Sequence, residues 1–354
     1  MKKGSIVYLL ATVAVTAALL FSCKDKSQQR FDGVELLGAG ATFPQVLYGA
    51  MFTEYFEVSG VKVNYQGIGS GGGIRQITEK TVDFAGSDAI LKAEQETAAG
   101  AELIMIPTAI GAVVMTYNLP GNPTIKLTPE LISGIYMGKI KKWNDDLLKA
   151  VNTGIELPDL EIHVVHRSDG SGTTYAFTDY LSKANQEWKD AVGMGTTINW
   201  PLGIGGQGNP GVQAIVSSTA GAIGYVELIY ASQNNMPFAD VKNASGNFIT
   251  PSAESASACA QFEIADNTRV SIANSDSPNG YPISSFTWVI VYKEQNYGNR
   301  DERTVEALVN MLWWMIHDGQ AINPTLGFAP VPQAAVIKAE NLIKSVTFNG
   351  TPVL

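Results

Sequence analysis

The segment Arg167-Ser168-Asp169-Gly170-Ser171-Gly172-Thr173-Thr174 constrains the fold of this chain more than any other. It follows the β-rich run Ile162 to Val165 and precedes Tyr-Ala-Phe-Thr-Asp-Tyr-Leu, so the chain must pass there from a strand through a glycine loop into a helix. A helix start leaves backbone N–H groups without intrahelical partners, its macrodipole makes that end positive, and glycine lets the backbone come close to a ligand. With the fixed charge of Arg167 beside it, the segment has the makings of an anion cradle. Ser171 and Thr173 fit equally well as ordinary helix caps, and the segment alone does not choose between the two.

The same hand-over recurs along the chain. Leu36 to Gly40 is an apolar run that leads through Ala41-Thr42-Phe43-Pro44 into a helical pattern of Val46, Leu47, Met51, Phe52, Tyr55 and Phe56, ending near Val58. Val61 to Tyr65 alternates as a strand does and runs into Gln66-Gly67-Ile68-Gly69-Ser70-Gly71-Gly72-Gly73-Ile74-Arg75, whose glycines again open a helix. Thr81 to Ala85 is a third strand, ending in Gly86-Ser87-Asp88. Gly203 to Gly211 forms a further glycine-rich loop, ahead of a helix over Val212 to Ser218 and a strand over Ala222 to Val226. Glu102 to Tyr117, almost continuously apolar but interrupted by Pro107 and Gly111, reads as a strand pair crossing from one domain to another, and Ser275 to Pro282 as the linker that returns. Phe286 to Tyr292 is then a strand, and helices over Arg303 to Asp318 and Ala334 to Ile343 pack back on the first domain. Strands alternating with helices predict an α/β fold with mostly parallel sheets. A chain of 354 residues exceeds what one core usually fills, so two domains are expected.

Met1-Lys2-Lys3 followed by an apolar run from Ile6 to Phe21 has the form of a secretory signal, residues 1–22. Its end, Leu20-Phe21-Ser22-Cys23, looks like a bacterial lipobox, which makes Cys23 the lipidation site and the polar residues 23–33 a tether. The body would then stand outside the cytoplasm, held to an envelope membrane by lipid. Cys259 is the only other cysteine, so a lipidated Cys23 leaves it no intramolecular partner. The net charge of −9 becomes −11 once Lys2 and Lys3 leave with the signal. Such a surface does not attract nucleic acid and gives an anionic ligand no long-range help, so binding has to rest on local donors.

Other chemistries find little support. Gly67, Gly69 and Gly72 with Asp88 downstream formally match a dinucleotide fingerprint, but an exported protein has no free supply of nicotinamide cofactor. Ser70 and Ser171 lack the G-x-S-x-G context of a hydrolase nucleophile, since Ile68 and Asp169 stand two residues before them. His163 and His166 lie three apart in a strand and face opposite ways, a poor metal pair, and His317 follows Trp313-Trp314 on a packing helix. No metal or cofactor is expected.

Gly38-Ala-Gly-Ala-Thr-Phe-Pro44, Val63-Asn-Tyr-Gln-Gly-Ile-Gly-Ser70, Val82-Asp-Phe84 with Ser87-Asp88, and Asp169-Gly-Ser-Gly-Thr173 follow one another across most of the chain. Together they resemble the signatures of the PstS phosphate-binding proteins, the extracytoplasmic receptors of the high-affinity phosphate ABC importer. The resemblance implies the two-lobed periplasmic binding protein fold, class II, in which two α/β lobes joined by two crossover strands close on an oxyanion. It implies a receptor rather than an enzyme, a monomer that delivers inorganic phosphate to permease subunits in the membrane. Lobe 1 would comprise 34–107 with 281–354, and lobe 2 residues 108–280. Carried over position by position, the phosphate contacts would be Thr42, Phe43, Ser70 and Asp88 from lobe 1, and Arg167, Ser171, Gly172 and Thr173 from lobe 2. Asp169 would hold the Arg167 fork in place. Gly71, Ser168 and Arg75 depart from the common pattern without falling on an implied contact, and the region from about Ala231 to Ser277 matches it least. A receptor for another oxyanion, sulfate or molybdate, is the nearest alternative reading, and a phosphate-ester hydrolase a more distant one.

Asp88 separates these ligands. A carboxylate facing an anion repels it unless the ligand brings a proton, which hydrogen phosphate does and sulfate near neutral pH does not. A site built around one hydrogen bond rejects an analogue lacking it far more strongly than shape alone could. The expected selectivity is phosphate over sulfate.

Overall fold

The computed structural model describes residues 31–354; the expected signal segment, Cys23 and residues 24–30 of the tether lie outside the described residues. Eight strands form the main sheet: β1 (Glu35–Gly40), β2 (Lys62–Gly67), β3 (Phe84–Ser87), β4 (Leu103–Tyr117), β5 (His163–Arg167), β6 (Ile204–Gly206), β7 (Ala222–Glu227) and β8 (Ser284–Tyr292). Their order in space is β2-β1-β3-β8-β4-β7-β5-β6. At one end β1 pairs in parallel with β2 and β3, and at the other β5 pairs in parallel with β6 and β7. Between these flanks β8 runs antiparallel to β3 and β4, and β4 antiparallel to β7. The expectation of mostly parallel sheets therefore holds only for the flanks. One central strand leaves the first half and the other returns to it, so they must run in opposite senses. The result is the two-lobed periplasmic binding protein fold.

The outgoing crossover corrects a second expectation. Leu103–Tyr117 is one continuous strand of 15 residues, all of them buried, and not a pair of strands. Pro107 does not end it because the register against β8 shifts there: Trp288 lies opposite Pro107 and Thr287 opposite Ala109. This irregularity leaves Thr108 as the extra residue and tolerates the missing proline N–H. Residues Leu103 to Ala112 of β4 pair with β8, and Val113 to Tyr117 pair with β7, so one strand carries the chain between the lobes. Burial on both faces accounts for its unbroken apolar character.

The helices start where the parallel strands end. Helix α1 (Gln45–Ser59) buries Leu47, Tyr48, Met51, Phe52 and Tyr55, a helical stripe, and stops at Gly60 in the left-handed conformation. Helix α2 (Ser70–Thr78) follows β2, and α3 (Gly172–Ala184) follows β5 with Ser171 as its N-cap. Helix α4 (Gly208–Ser218) begins four residues earlier than the apolar spacing from Val212 suggests, because Pro210 sits in the first turn, where its missing N–H costs nothing. That places Asn209 in a helical turn at the mouth of β6 instead of in a loop. Near the C-terminus, α5 (Glu302–Ile316) and α6 (Gln333–Lys344) return to the first half, where Tyr55 Oη donates to Asn310 Oδ1 at 2.9 Å. Within the region that the sequence motifs cover least, Asp240–Lys242 and Phe248–Ile249 join Lys126–Leu127 in a small separate sheet. Cys259 is buried as a free thiol, donating to the Tyr281 carbonyl at 3.1 Å.

Candidate functional site

Six strands of the sheet point their C-terminal ends at one place. Beyond β1 stand Thr42 and Phe43, beyond β2 Ser70, beyond β3 Asp88, at the end of β5 Arg167 through Thr173, beyond β6 Asn209, and at the end of β7 Glu227. This is where open α/β sheets take their ligands. The two sides meet closely: Gly71 N–H donates to the Gly170 carbonyl at 2.9 Å and Gly172 N–H to Ser70 Oγ at 3.0 Å. Only glycine permits this approach, since a Cβ on Gly69 would stand 2.2 Å from Asp169 Oδ2 and one on Gly172 would stand 2.4 Å from Asp88 Oδ2.

On one side Arg167 is held from three directions. Its Nε donates to Asp169 Oδ1 at 2.8 Å and its Nη2 to Asp169 Oδ2 at 2.5 Å, a two-point pairing that fixes the plane of the fork. Its Nη1 reaches Thr173 Oγ1 at 3.2 Å. Burial alone would raise the Asp169 pKa, but the Arg167 hydrogen bond and charge, joined by the Gly208 N–H, outweigh it and hold the carboxyl below its usual range. Ser171 Oγ caps α3 by accepting from Thr174 N–H at 3.0 Å. The functional and capping readings of Ser171 are thus not exclusive, because a hydroxyl that accepts this bond keeps its hydrogen.

On the other side Asp88 is almost fully buried. Its Oδ1 accepts from Thr287 Oγ1 at 2.7 Å, while Oδ2 has no hydrogen-bond partner among the described residues. Burial raises its pKa to about 7, against the opposing pull of the Thr287 bond and the Arg167 charge. Ser70 Oγ accepts from Gly172 N–H and, at 3.4 Å, from Asp88 N–H. Thr42 Oγ1 accepts from both the backbone N–H and the side-chain Nδ2 of Asn209, at 3.0 and 2.9 Å. The Phe43 ring turns away to pack edge-on against Phe328 with centroids 6.0 Å apart, so only its backbone stands near the site. The residues expected as phosphate contacts, with Asp169, stand together at these strand ends, while Cys23 lies outside the described residues.

A family model described as the PBP superfamily domain matches residues 25–311. The phosphate-binding protein PstS of Pasteurella multocida is 41% identical over 332 residues, spanning 92% of this chain and 94% of its own length. This chain belongs to the PstS phosphate-binding protein family. PstS of Methanocaldococcus jannaschii is 34% identical over 336 residues, covering 86% and 85% of the two chains. Among solved structures, a high-affinity periplasmic phosphate-binding protein, PfluDING, bound with phosphate, matches with a TM-score of 0.71 at 23% identity, over 87% of this chain and 93% of that one. That likeness carries the fold of the PstS family and nothing finer.

Several residues of the cluster were not legible in the sequence. Asn209 sits inside the glycine-rich stretch before Val212, which marks its neighbourhood but not its side chain. Thr287 lies in an ordinary β run with no local signal. Tyr230 donates to the Thr42 carbonyl at 2.5 Å, and Tyr225 Oη accepts from Arg167 N–H at 3.1 Å. Glu227 is a second buried acid, its Oε2 accepting from Ile229 N–H at 2.7 Å and its pKa pushed well above the usual range by burial. Among the described residues, no group of His, Cys, Asp and Glu is placed to hold a metal. His166 stacks on Trp200 with centroids 4.8 Å apart, and His317 Nε2 lies 3.1 Å from Glu340 Oε1.

Proposed function

We propose that this chain binds inorganic phosphate outside the cytoplasmic membrane and delivers it to an ABC importer, without chemistry on the ligand. The observation that carries the reading is Asp88 Oδ2, a buried carboxylate oxygen with no partner among the described residues, set among hydroxyls, backbone N–H groups and one arginine. Such a set suits an anion that still carries a proton. With the Asp88 pKa at about 7 and phosphate itself protonated at neutral pH, one proton is available for the Oδ2 contact from either partner. Sulfate offers none, so its contact rests on the protonated fraction of Asp88 alone and fails as that fraction falls above pH 7, where the ionised oxygen would face it unpaired at a cost of about 1–3 kcal/mol or more.

On this reading Thr42, Phe43, Ser70 and Asp88 bind from a lobe of residues 34–107 with 281–354, and Arg167, Ser171, Gly172 and Thr173 from a lobe of residues 108–280. Asp169 keeps the Arg167 fork in plane. The names of the curated relatives, each a phosphate-binding protein PstS, support the ligand. A lipid on Cys23 would tether the protein, as a monomer, beside its permease. No helix of the described residues is long and apolar enough to cross a membrane. The deciding experiment is small-angle scattering with calorimetry on the purified chain. Phosphate should bind and compact the particle while sulfate does neither; equal responses to both would sink the selectivity and favour a general oxyanion receptor. A chromogenic phosphate ester should stay intact in the same preparation.

A further inference from the structure

We infer that Asn209 is a positioning residue that turns the hydroxyls of Thr42 and Thr173 toward the ligand as obligate donors, and that in doing so it ties the two sides of the cleft together. The inference rests on the phosphate reading above and adds to it a residue that the sequence motifs do not include.

The lone pairs of the two hydroxyls decide what each can do. A threonine hydroxyl has one hydrogen to give and two lone pairs to receive with. At Thr42, both lone pairs are taken by Asn209, one by its backbone N–H at 3.0 Å and one by its Nδ2 at 2.9 Å. At Thr173, one lone pair is taken by Arg167 Nη1 and the other by the same Asn209 Nδ2, each at 3.2 Å. The two hydrogens of the Asn209 amide are thereby shared between two hydroxyls that follow different strands, β1 and β5. The amide cannot be turned the other way, because its Oδ1 accepts from the Glu227 backbone N–H at 2.9 Å, and that group can only donate. Asn209 is fully buried, as is Thr173, and Thr42 nearly so, so water cannot substitute for any of these bonds without opening the cleft.

Each hydroxyl is left with its hydrogen alone. Thr42 and Thr173 therefore accept nothing from a ligand and favour oxygens that carry no proton. The single proton of a hydrogen phosphate is steered away from them, toward Asp88 Oδ2. Asp88 selects for a proton, and Asn209 decides where on the ligand it must lie.

The test is a double-mutant cycle on the full mature chain, read by calorimetric titration with inorganic phosphate and with arsenate, a proton-bearing analogue. Asn209→Ala should weaken both about tenfold, the loss expected for a hydrogen bond or two. Asn209→Asp, isosteric but unable to donate, should weaken them more, because each hydroxyl then turns its hydrogen to the new carboxylate. In a background of Thr42→Val with Thr173→Val, Asn209→Ala should add little further loss, since the hydroxyls it acts through are gone. A merely structural role would give an additive loss in that background, and that result overturns the inference. Thermal melts without phosphate separate the cases: the Asp variant keeps the shape of the side chain and should remain folded. If the parent protein itself binds no phosphate, the functional reading and this inference fall together. If it binds and the cycle is additive, only the role of Asn209 falls.

Discussion

Thr287 donates its hydroxyl hydrogen to Asp88 Oδ1 at 2.7 Å, and so leaves Oδ2 as the oxygen of that carboxylate with no partner among the described residues. The two residues are 199 positions apart and meet because the returning strand β8 lies beside β3, with Trp288 opposite Ser87. Thr287→Val keeps the shape and removes the donor. Asp88 then loses a bond to its charged form, and its pKa should climb above its present value of about 7. Phosphate affinity at pH 8 should fall roughly tenfold, the size of one hydrogen bond to a charged group. Titrations between pH 6 and 9 would show the affinity profile moved to higher pH; an unmoved profile would mean that Thr287 does not tune Asp88.

That pairing also shows where reading the sequence stops. Thr42, Ser70, Asp88 and Arg167 through Thr173 each stand at a strand end beside glycine, and glycine marks the places where backbone must come close to something. Thr287 stands in a buried strand whose sequence is set by packing on both faces, so nothing local distinguishes it from Phe286 or Val289. Pro107 is deceptive for a related reason. A proline ordinarily ends a central strand, and only the register shift opposite Thr287 and Trp288, a property of the partner strand, lets β4 continue through it. Asn209 was hidden by a helix that starts on glycine and proline before its apolar pattern begins.

Arg167→Ala should weaken phosphate binding by about 1.5–3 kcal/mol, tenfold to a hundredfold or more. The guanidinium is buried and its fork is fixed by Asp169, so no entropy of ordering is left to offset its loss. Asp169 would also be stranded without its partner, which places part of the loss in the ligand-free protein. Calorimetry should therefore find weaker binding together with a lower melting temperature in the absence of phosphate. Unchanged affinity would remove Arg167 from the site.

Asp88→Asn should narrow the gap between phosphate and sulfate. The amide can donate to an unprotonated oxygen as well as accept from a protonated one, so sulfate no longer meets a bare carboxylate. Competition of sulfate against bound phosphate is the measurement. Sulfate that still fails to compete would show that selectivity lies elsewhere.

The same substitution bears on stability. The Asp88 carboxyl has a folded pKa of about 7 against an ordinary 3.8, so between these values the folded ligand-free protein holds a proton that the unfolded chain has lost. Its contribution is fully present below pH 3.8 and is lost as pH rises through 7. Glu227 is shifted in the same direction by burial. Asp169, held low by Arg167, acts oppositely, but only as pH falls below the ordinary carboxylate range. Without phosphate, denaturant unfolding should therefore show stability declining from pH 4 to pH 7, and Asp88→Asn should flatten that decline. A variant with the same slope as the parent would place the shifted acid elsewhere.

Gly172→Ala tests closure itself. The added methyl would stand 2.4 Å from Asp88 Oδ2 and 2.6 Å from Ser70 Oγ, nearer than nonbonded atoms approach, while the helix that begins at residue 172 gains a residue it favours. Folding of the separate halves should be little affected, because the clash exists only when the two sides meet. The expected result is a normal melting transition without phosphate, a loss of affinity of at least about a hundredfold, since overpacking of 1–3 kcal/mol adds to the displaced contacts, and a scattering profile that no longer compacts on adding phosphate. Closure and affinity left intact would mean that Gly172 does not approach Asp88 in the bound protein, and that the cleft closes on its ligand in another way.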